Sequence, residues 1–255
     1  MLTIRNSQKE LFDNHAMRHF EERTLVRLRK YFPKHCAAVN DDEAVLRRII
    51  RAGHSKAKQY DLTFESGAVL VTDLMFLFGS GFDTDPQYPW AAQWLTCQRP
   101  TEQHIKIEAI YLDAVDCAKG IYGPDNAYFK KTLQTILRRR SEESPFVPPE
   151  RMPAFLRQTL QGLSPEKCRY IGDKALQNLI THVLAAAGRQ GITSTGGTVA
   201  YGVAMFVLGY RFETDLLFPW AGKIFRKNSV SGEGKIAAFQ QAANQFLEKW
   251  WAGAA

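Results

Sequence analysis

The chain has 255 residues, of which 45% are hydrophobic, 12% aromatic and 23% charged, as in an ordinary folded protein. An aromatic content this high excludes intrinsic disorder. The formal net charge of +7 is compatible with an acidic partner or with nucleic acid. However, the basic residues form a single run of three, Arg138 to Arg140, where a predicted helix ends and where cations complement the helix dipole.

Cysteine spacing and hydropathy indicate a cytoplasmic protein without a membrane span. No pair among the four cysteines has CxxC spacing, so neither a zinc knuckle nor a redox motif is indicated. The first residues lack an apolar signal core. Residues 191–210 carry no charge, but the segment opens with a polar, turn-like stretch, which favours a buried helix over a membrane span. Free thiols in a reducing compartment and no bound cofactor are the simplest expectation.

Apolar periodicity, capping residues and prolines predict an all-α fold with no strands. Asp41 or Asp42 caps the second predicted helix, Thr63 caps the third, and Gly79 ends the third in a left-handed conformation. Pro86 or Pro89 opens the fourth. In chain order, the predicted helices cover 7–31, 43–59 and 63–79, then one that begins at Pro86 or Pro89, and then 102–118, 126–139, 153–161, 165–187, 198–208, 219–226 and 234–251.

The most informative feature is an internal repeat. Adding 130 to the numbering superimposes residues 60–95 on 190–225 without a gap. The identical pairs include Thr63/Thr193, Gly67/Gly197, Val69/Val199, Met75/Met205, Phe76/Phe206, Gly79/Gly209, Phe82/Phe212, Thr84/Thr214, Asp85/Asp215, Pro89/Pro219, Trp90/Trp220 and Ala91/Ala221. We therefore predict two tandem copies of a helical unit, packed as one bundle with approximate two-fold symmetry.

The repeat also predicts the domain organisation and the structural anchors. An N-terminal unit (1–140) and a C-terminal unit (151–255) are separated by a Pro-rich linker (141–150), whose three prolines and three acids disfavour helix. The residues predicted to be anchors in both units are Gly79, Phe82, Pro89, Trp90, Gly209, Phe212, Pro219 and Trp220.

The repeated Phe-[Asp/Glu]-Thr-Asp loops are the strongest candidate for a site. Asp83 and Asp85, or Glu213 and Asp215, offer oxygen ligands for a hard cation. We favour the alternative that Asp85 and Asp215 or the neighbouring threonines cap the helices that follow, so no metal site is predicted. As contacts for a partner protein we expect the loop acids together with exposed aromatic residues: Asp83, Asp85, Tyr88, Glu213, Asp215, Trp250 and Trp251, with Tyr122 and Tyr128 as further candidates.

Other constellations are weaker. His15 and His19 lie one helical turn apart but lack a third zinc ligand. His104 is too far along its helix from Asp113 and Cys117 to complete a catalytic triad. Asp73 lies in an apolar helix where the second copy has Val203, and a buried carboxylate there needs a partner. No GxSxG, P-loop or GxGxxG motif occurs.

Three short stretches carry a family resemblance. Leu74-Met75-Phe76, Gly79, Phe82-Asp83, Asp85 and Pro89-Trp90-Ala91, with Thr3-Ile4-Arg5 and Phe32-Pro33 upstream, resemble bacterial proteins encoded beside type VI secretion and other polymorphic-toxin loci. The likeness covers mainly residues 1–95. It implies a role in toxin delivery or neutralisation and brings no catalytic residues with it.

These observations favour a non-enzymatic protein-binding protein that serves a secreted bacterial toxin as an immunity protein or as an effector accessory or adaptor. One alternative is a secreted effector or enzyme with an acidic cleft formed by Asp73, Asp83 and Asp85. A second alternative is nucleic-acid binding through a basic surface, which no helix-turn-helix or aromatic RNA motif supports. The oligomeric state and the partner stay open.

Overall fold

A computed structural model describes residues 6–97, 102–139 and 144–252, and the side chains of residues 14–97, 102–139 and 144–248. These residues contain only helices and connecting segments, without any strand, so the predicted all-α class is confirmed. The α-helices are α1 (Asn6–Tyr31), α2 (Pro33–Ala38), α3 (Glu43–Gln59), α4 (Glu65–Phe78), α5 (Pro89–Leu95), α6 (Gln103–Tyr122), α7 (Ala127–Arg139), α8 (Met152–Leu163), α9 (Pro165–Arg189), α10 (Thr195–Leu208), α11 (Pro219–Phe225) and α12 (Gly232–Ala252).

Local chemistry fixes several helix ends as predicted. Asp42 caps α3 by accepting the backbone N–H groups of Ala44 and Val45 at 2.9 and 3.3 Å. Pro89 occupies the first turn of α5, where its missing N–H costs nothing. Gly79 ends α4, but with φ 91° and ψ 156° it is extended at positive φ rather than in the predicted left-handed helical region.

Pro33 follows the end of α1 and, because proline fits the first turn of a helix, starts the short helix α2, which the sequence patterns did not predict. The predicted cap of α4 was wrong. Thr63 does not cap α4. Instead, the Gln103 side chain of α6 accepts the N–H of Phe64 at 2.5 Å and donates to the Thr63 hydroxyl at 3.1 Å. A side chain distant in sequence thus satisfies the start of α4.

We call the described residues up to 139 the first half and residues 144–252 the second half. Several helices of the two halves correspond in their bounds and in their packing. Helices α4 and α10, like α5 and α11, begin and end at positions 130 residues apart. In the first half, α1 packs on α3 and α4, and α6 packs on α4 and α5. In the second half, α8 packs on α9 and α10, and α12 packs on α10 and α11. Gly172, at φ 79° and ψ 168°, kinks α9 between segments that resemble α2 and α3.

The halves share one continuous hydrophobic core that includes buried side chains from both. Helix α6 packs on α9, α2 packs on α12, and α7 packs on both α8 and α12. At the α6–α9 contact, Gly120 gives the Tyr170 ring room that a Cβ atom would take, and the Tyr170 hydroxyl donates to Asp116 at 2.7 Å. Burial of apolar side chains in this common core is the main stabilising contribution to the fold.

The connection between the halves has no regular secondary structure from 144 to 148 and continues as a single 3-10 turn, Pro149–Arg151. The N–H of Val147 donates to the Thr195 hydroxyl at 3.0 Å, which fastens this segment to the start of α10. The remainder of the predicted linker lies outside the described residues. The boundaries of two separate domains stay a prediction.

Candidate binding groove

The two Phe-[Asp/Glu]-Thr-Asp loops meet at the centre of the molecule. The carboxylate of Asp85 accepts the N–H of Gln87 in its own loop at 2.9 Å and the N–H of Tyr210 in the other loop at 3.0 Å. Asp215 does the same in reverse, accepting from Leu217 at 2.9 Å and from Ser80 at 2.7 Å. The predicted helix caps are therefore wrong for both residues, because each carboxylate closes a turn and ties the opposite loop instead.

Two glycines allow this crossing. A Cβ atom on Gly79 would lie 2.9 Å from the carbonyl oxygen of Leu208, and one on Gly209 would lie 3.2 Å from that of Phe78. Gly209 has φ 101°, in the same region as Gly79. Residues with a side chain rarely adopt this backbone conformation. Both predicted anchors thus permit close backbone approach. Phe82 and Phe212, further predicted anchors, are fully buried beside them.

The Pro-Trp pairs behave alike in the two halves. Pro219 opens α11 as Pro89 opens α5. Trp90 packs edge-on against Phe78 with ring centroids 5.8 Å apart, and Trp220 stacks on Phe239 at 5.4 Å. Both tryptophans are half-buried against the core, so their anchoring role rests on ring packing.

The acids at the second loop position form internal pairs. Asp83 is 5% exposed and accepts from Lys56 Nζ at 2.5 Å and from the Tyr60 hydroxyl at 2.7 Å. Its counterpart Glu213 accepts from the hydroxyl of the buried Tyr201. Burial raises the pKa of Glu213, and hydrogen bonds and nearby cations oppose this shift only in part.

Most residues predicted to contact a partner are therefore engaged inside the protein. Asp83, Asp85, Tyr88 and Asp215 are each at most 5% exposed, so they present almost no surface to a second molecule. Glu213 is only half-buried. Trp250 and Trp251 belong to α12, but their side chains lie outside those that the structure describes. The loops contribute to the architecture in this conformation, and their predicted role as contacts lacks support.

The three acids of the alternative cleft do not share a site. Asp73 forms an ion pair with Arg27 of α1, with Nη2 2.5 Å from Oδ2, while Asp83 binds Lys56. Asp85 is occupied by backbone N–H groups, and burial raises its pKa despite them. The carboxylates thus have separate partners, and none is left as a general base or a cation ligand.

The histidine constellations also stay apart. His15 and His19 make an edge-to-face ring contact at 4.5 Å on the surface of α1, and the described side chains include no group of three metal-ligating residues. Asp113 accepts from the Trp94 indole at 2.6 Å, and His104 lies at the surface beside Glu102. Burial raises the pKa of Cys117 to about 11, so its thiol is not an activated nucleophile.

The sequence does not reveal one buried lysine, because its surroundings come from distant segments. Lys167 of α9 donates to the carbonyl oxygen of Phe206 and lies 3.5 Å from the Tyr88 hydroxyl. Burial lowers the pKa of Lys167 to about 8. Its environment resembles that of His35 in α2, whose ring packs on Phe76 at 5.9 Å. The sequences Pro33-Lys34-His35-Cys36 and Pro165-Glu166-Lys167-Cys168 could have indicated the correspondence.

The best candidate for a site is a half-open groove of about 400 Å³ on the second half, which we call the α10 groove. One face of α10 forms its floor, and α7, α8, α11, α12 and residues 144–145 form its walls. The floor residues repeat at helical spacing: Gly196, Val199, Ala200, Val203, Ala204, Val207 and Leu208. The floor runs from Gly196 to Leu208, thirteen residues of α-helix, and is therefore about 18 Å long.

The walls of the α10 groove are mainly apolar, with few polar groups. Phe155, Trp220 and Phe239 supply aromatic surface, while Gln240 and Asn244 supply amides. Arg139, at the end of α7, is the one charged side chain among the described lining residues. An apolar trough with a few polar groups at its edge is typical of sites that bind a ligand or a partner segment.

None of the known protein families, curated proteins or solved structures compared with this chain matches it. Within the described part of the chain, no helix combines the length and apolar character needed to cross a membrane.

Proposed function

We propose that this chain is a non-enzymatic binding protein that holds an apolar segment of a partner protein in the α10 groove. The resemblance of residues 1–95 to proteins of toxin loci suggests a bacterial toxin or secretion component as the partner. The chain would then serve as an immunity protein or as an effector accessory or adaptor. The observation that carries the proposal is the groove, because its floor is an apolar helix face that the described part of the chain covers only in part, with Val199, Val203 and Val207 half-buried.

We further propose that the chain is a duplication whose two units are related by an approximate two-fold axis between Gly79 and Gly209. The reciprocal bonds of Asp85 and Asp215 support this, as do the matching bounds of α4 with α10 and of α5 with α11. The two units also contact each other in the same way, since α6 of the first packs on α9 of the second and α12 of the second packs on α2 of the first.

Under this proposal, the α10 groove corresponds to a surface of the first unit where two ion pairs join α1 to α4. There, Arg23 of α1 binds Glu65 at 2.8 Å, and Arg27 binds Asp73 at 2.5 Å. Matching Pro33 to Pro165 aligns the buried Phe20, Thr24 and Leu28 of α1 with Met152, Leu156 and Leu160 of α8.

The same alignment places Phe155 and Thr159 at the arginine positions, and the 130-residue offset of the repeat places Thr195 and Val203 at the positions of Glu65 and Asp73. Three of these four uncharged residues, Phe155, Thr159 and Val203, line the groove. The second unit thus presents an apolar surface where the first unit has two ion pairs. A partner with apolar side chains at helical spacing fits such a surface.

The decisive experiment restores the first unit's ion pair in the second. The double variant Thr159→Arg/Val203→Asp places an Arg–Asp pair across the groove in a geometry that the first unit already accommodates. We expect it to fold with an unfolding midpoint close to that of the wild type and to lose co-purification with the protein encoded by the neighbouring gene. A matched control is Thr181→Arg/Val230→Asp, which makes the same changes at exposed positions.

The outcomes separate the alternatives. If the neighbouring gene product binds the groove variant and the wild type equally well, the groove is not the contact surface. If it binds neither, the protein-binding function is wrong. Toxicity of the wild-type chain expressed alone, abolished by Asp73→Asn, would instead favour the effector alternative.

A further inference from the structure

A second cavity lies beside the α10 groove, at the contact between α2 and α12. It has a volume of about 360 Å³ and is also bordered by α4, α6 and α7, and we call it the seam cavity. At the corresponding contact between α6 and α9, Tyr170 packs against Gly120, and Lys167 of α9 donates to the carbonyl oxygen of Phe206.

The lining of the seam cavity differs chemically from that of the groove. Nine of its twenty-one described lining residues are Phe or Tyr, compared with four aromatic residues among twenty-two in the groove. Several rings already pair with one another: Phe78 stacks with Tyr122 at 6.3 Å and an interplanar angle of 14°, and Phe32 packs on Phe76 at 5.3 Å. Aromatic walls of this kind favour a flat ring over an aliphatic chain.

The charge of the lining has one sign. Lys34 of α2 and Lys130 of α7 line the cavity, and no Asp or Glu occurs among the described lining residues. Neither lysine forms an ion pair with any residue that the structure describes. By contrast, the neighbouring Lys131 lies 3.7 Å from Glu166. Two ammonium groups without a carboxylate partner at an aromatic cavity are complementary to an anionic group on the ligand.

We propose that the seam cavity binds a small planar aromatic molecule that carries an anionic group. Its ring lies among the side chains of Phe78, Tyr88 and Tyr122, and its anionic group meets Lys34 and Lys130. This site is separate from the α10 groove, although Val207, Leu208, Phe246 and Leu247 border both. It therefore does not depend on the proposed protein-binding function.

Three probes test the proposal by titration calorimetry at low salt. They are 2-naphthoate, which is aromatic and anionic, 2-naphthalenemethanol, which is aromatic and neutral, and octanoate, which is anionic and aliphatic. We expect 2-naphthoate to bind best, with a Kd of about 0.1–1 mM for a ligand of this size. The variant Lys34→Gln/Lys130→Gln should weaken its binding about fivefold and leave that of 2-naphthalenemethanol unchanged.

Two controls locate the site. Lys131→Gln removes a neighbouring cation outside the lining and should leave 2-naphthoate binding unchanged. The groove variant Thr159→Arg/Val203→Asp should also leave it unchanged. The proposal is overturned if 2-naphthoate shows no saturable binding, if octanoate binds as tightly, if the lysine variant binds as well as the wild type, or if the groove variant abolishes binding.

Discussion

The two halves of the molecule agree closely at the centre and differ on the outside. At the centre, Gly79, Asp85, Gly209 and Asp215 make the same contacts in exchange, down to which N–H each carboxylate accepts. On the outside, ion pairs cross α4 in the first half, whereas an apolar groove follows α10 in the second. Close backbone contact tolerates few side chains, while a half-exposed helix face tolerates many. Differences in function are therefore expected on the outer faces.

The largest effect is expected from adding a methyl group at the central crossing. Gly79 and Gly172 share the same unusual backbone conformation, at φ 91° and 79°, but only Gly79 is crowded. Gly172→Ala should cost about 2 kcal/mol for the backbone conformation alone. Gly79→Ala should cost about 4 kcal/mol or more, because its Cβ would also meet the Leu208 carbonyl oxygen at 2.9 Å.

Urea denaturation of both variants, followed by circular dichroism, measures the difference. Gly209→Ala should fall close to Gly79→Ala, because its Cβ meets the Phe78 carbonyl oxygen at 3.2 Å. Equal losses for Gly79→Ala and Gly172→Ala would mean that the two loops do not touch as described.

Corresponding positions in α2 and α9 are expected to give different pH dependences. Burial lowers the pKa of His35 to about 4 and that of Lys167 to about 8. The unfolded chain then takes up a proton at position 35 between pH 6.5 and 4 while the folded chain does not, so stability falls as the pH drops through this window. The same argument for Lys167 gives a fall between about pH 10.5 and 8 and a flat profile at neutral pH.

His35→Gln should therefore reduce the acid-side loss by up to about 2–3 kcal/mol, with partial exposure of the ring reducing this figure. Unfolding free energies at pH 7, 5.5 and 4.5 measure the effect. His104→Gln is the control, because the His104 side chain is 64% exposed. A smaller acid-side loss should persist in the variant, since burial also lowers the pKa of His54. An acid-side profile identical to that of the wild type would contradict the assignment.

Reasoning from the sequence succeeded where a local signal decides the structure. Asp42 caps α3, Pro89 opens α5 and Gly79 ends α4 because each residue acts on its own neighbours. Thr63 shows the limit, since Gln103, forty residues away in sequence, satisfies the start of α4 instead. Local patterns predict local backbone and not the segment that will pack against it.

The same limit applies to the sites. The repeat singles out Asp85, but the spacing predicts a helix cap, whereas the bond of Asp85 to Tyr210 depends on how the halves pack. One feature of the sequence indicates the α10 groove, namely Val203 at the position of Asp73. This substitution can be interpreted only once α1 is aligned with α8, where sequence identity is low and only the buried positions correspond.

The smallest effect is expected from converting the first half to resemble the second. Arg27→Thr/Asp73→Val removes an ion pair whose side chains are 42% and 13% exposed. Replacing such a pair with uncharged residues should change the unfolding free energy by less than about 1 kcal/mol. Arg27→Thr alone should cost more, about 1–2 kcal/mol, because it leaves the less exposed Asp73 without its cation, and burial already raises the pKa of that carboxyl.

Asp73→Val alone should be nearly neutral, since Arg27 is exposed enough to be hydrated. We expect Arg27→Thr to be less stable than the double variant, so the effects of the two single substitutions do not add. Urea denaturation of the two single variants and the double variant measures this difference. If the double variant instead loses as much as the sum of the single ones, the two side chains stabilise the packing of α1 on α4 independently and not as an ion pair. The uncharged residues Thr159 and Val203 at the corresponding positions of the second half would then not be explained by a low cost of losing the ion pair. Binding of a partner in the α10 groove would be the first other explanation to test.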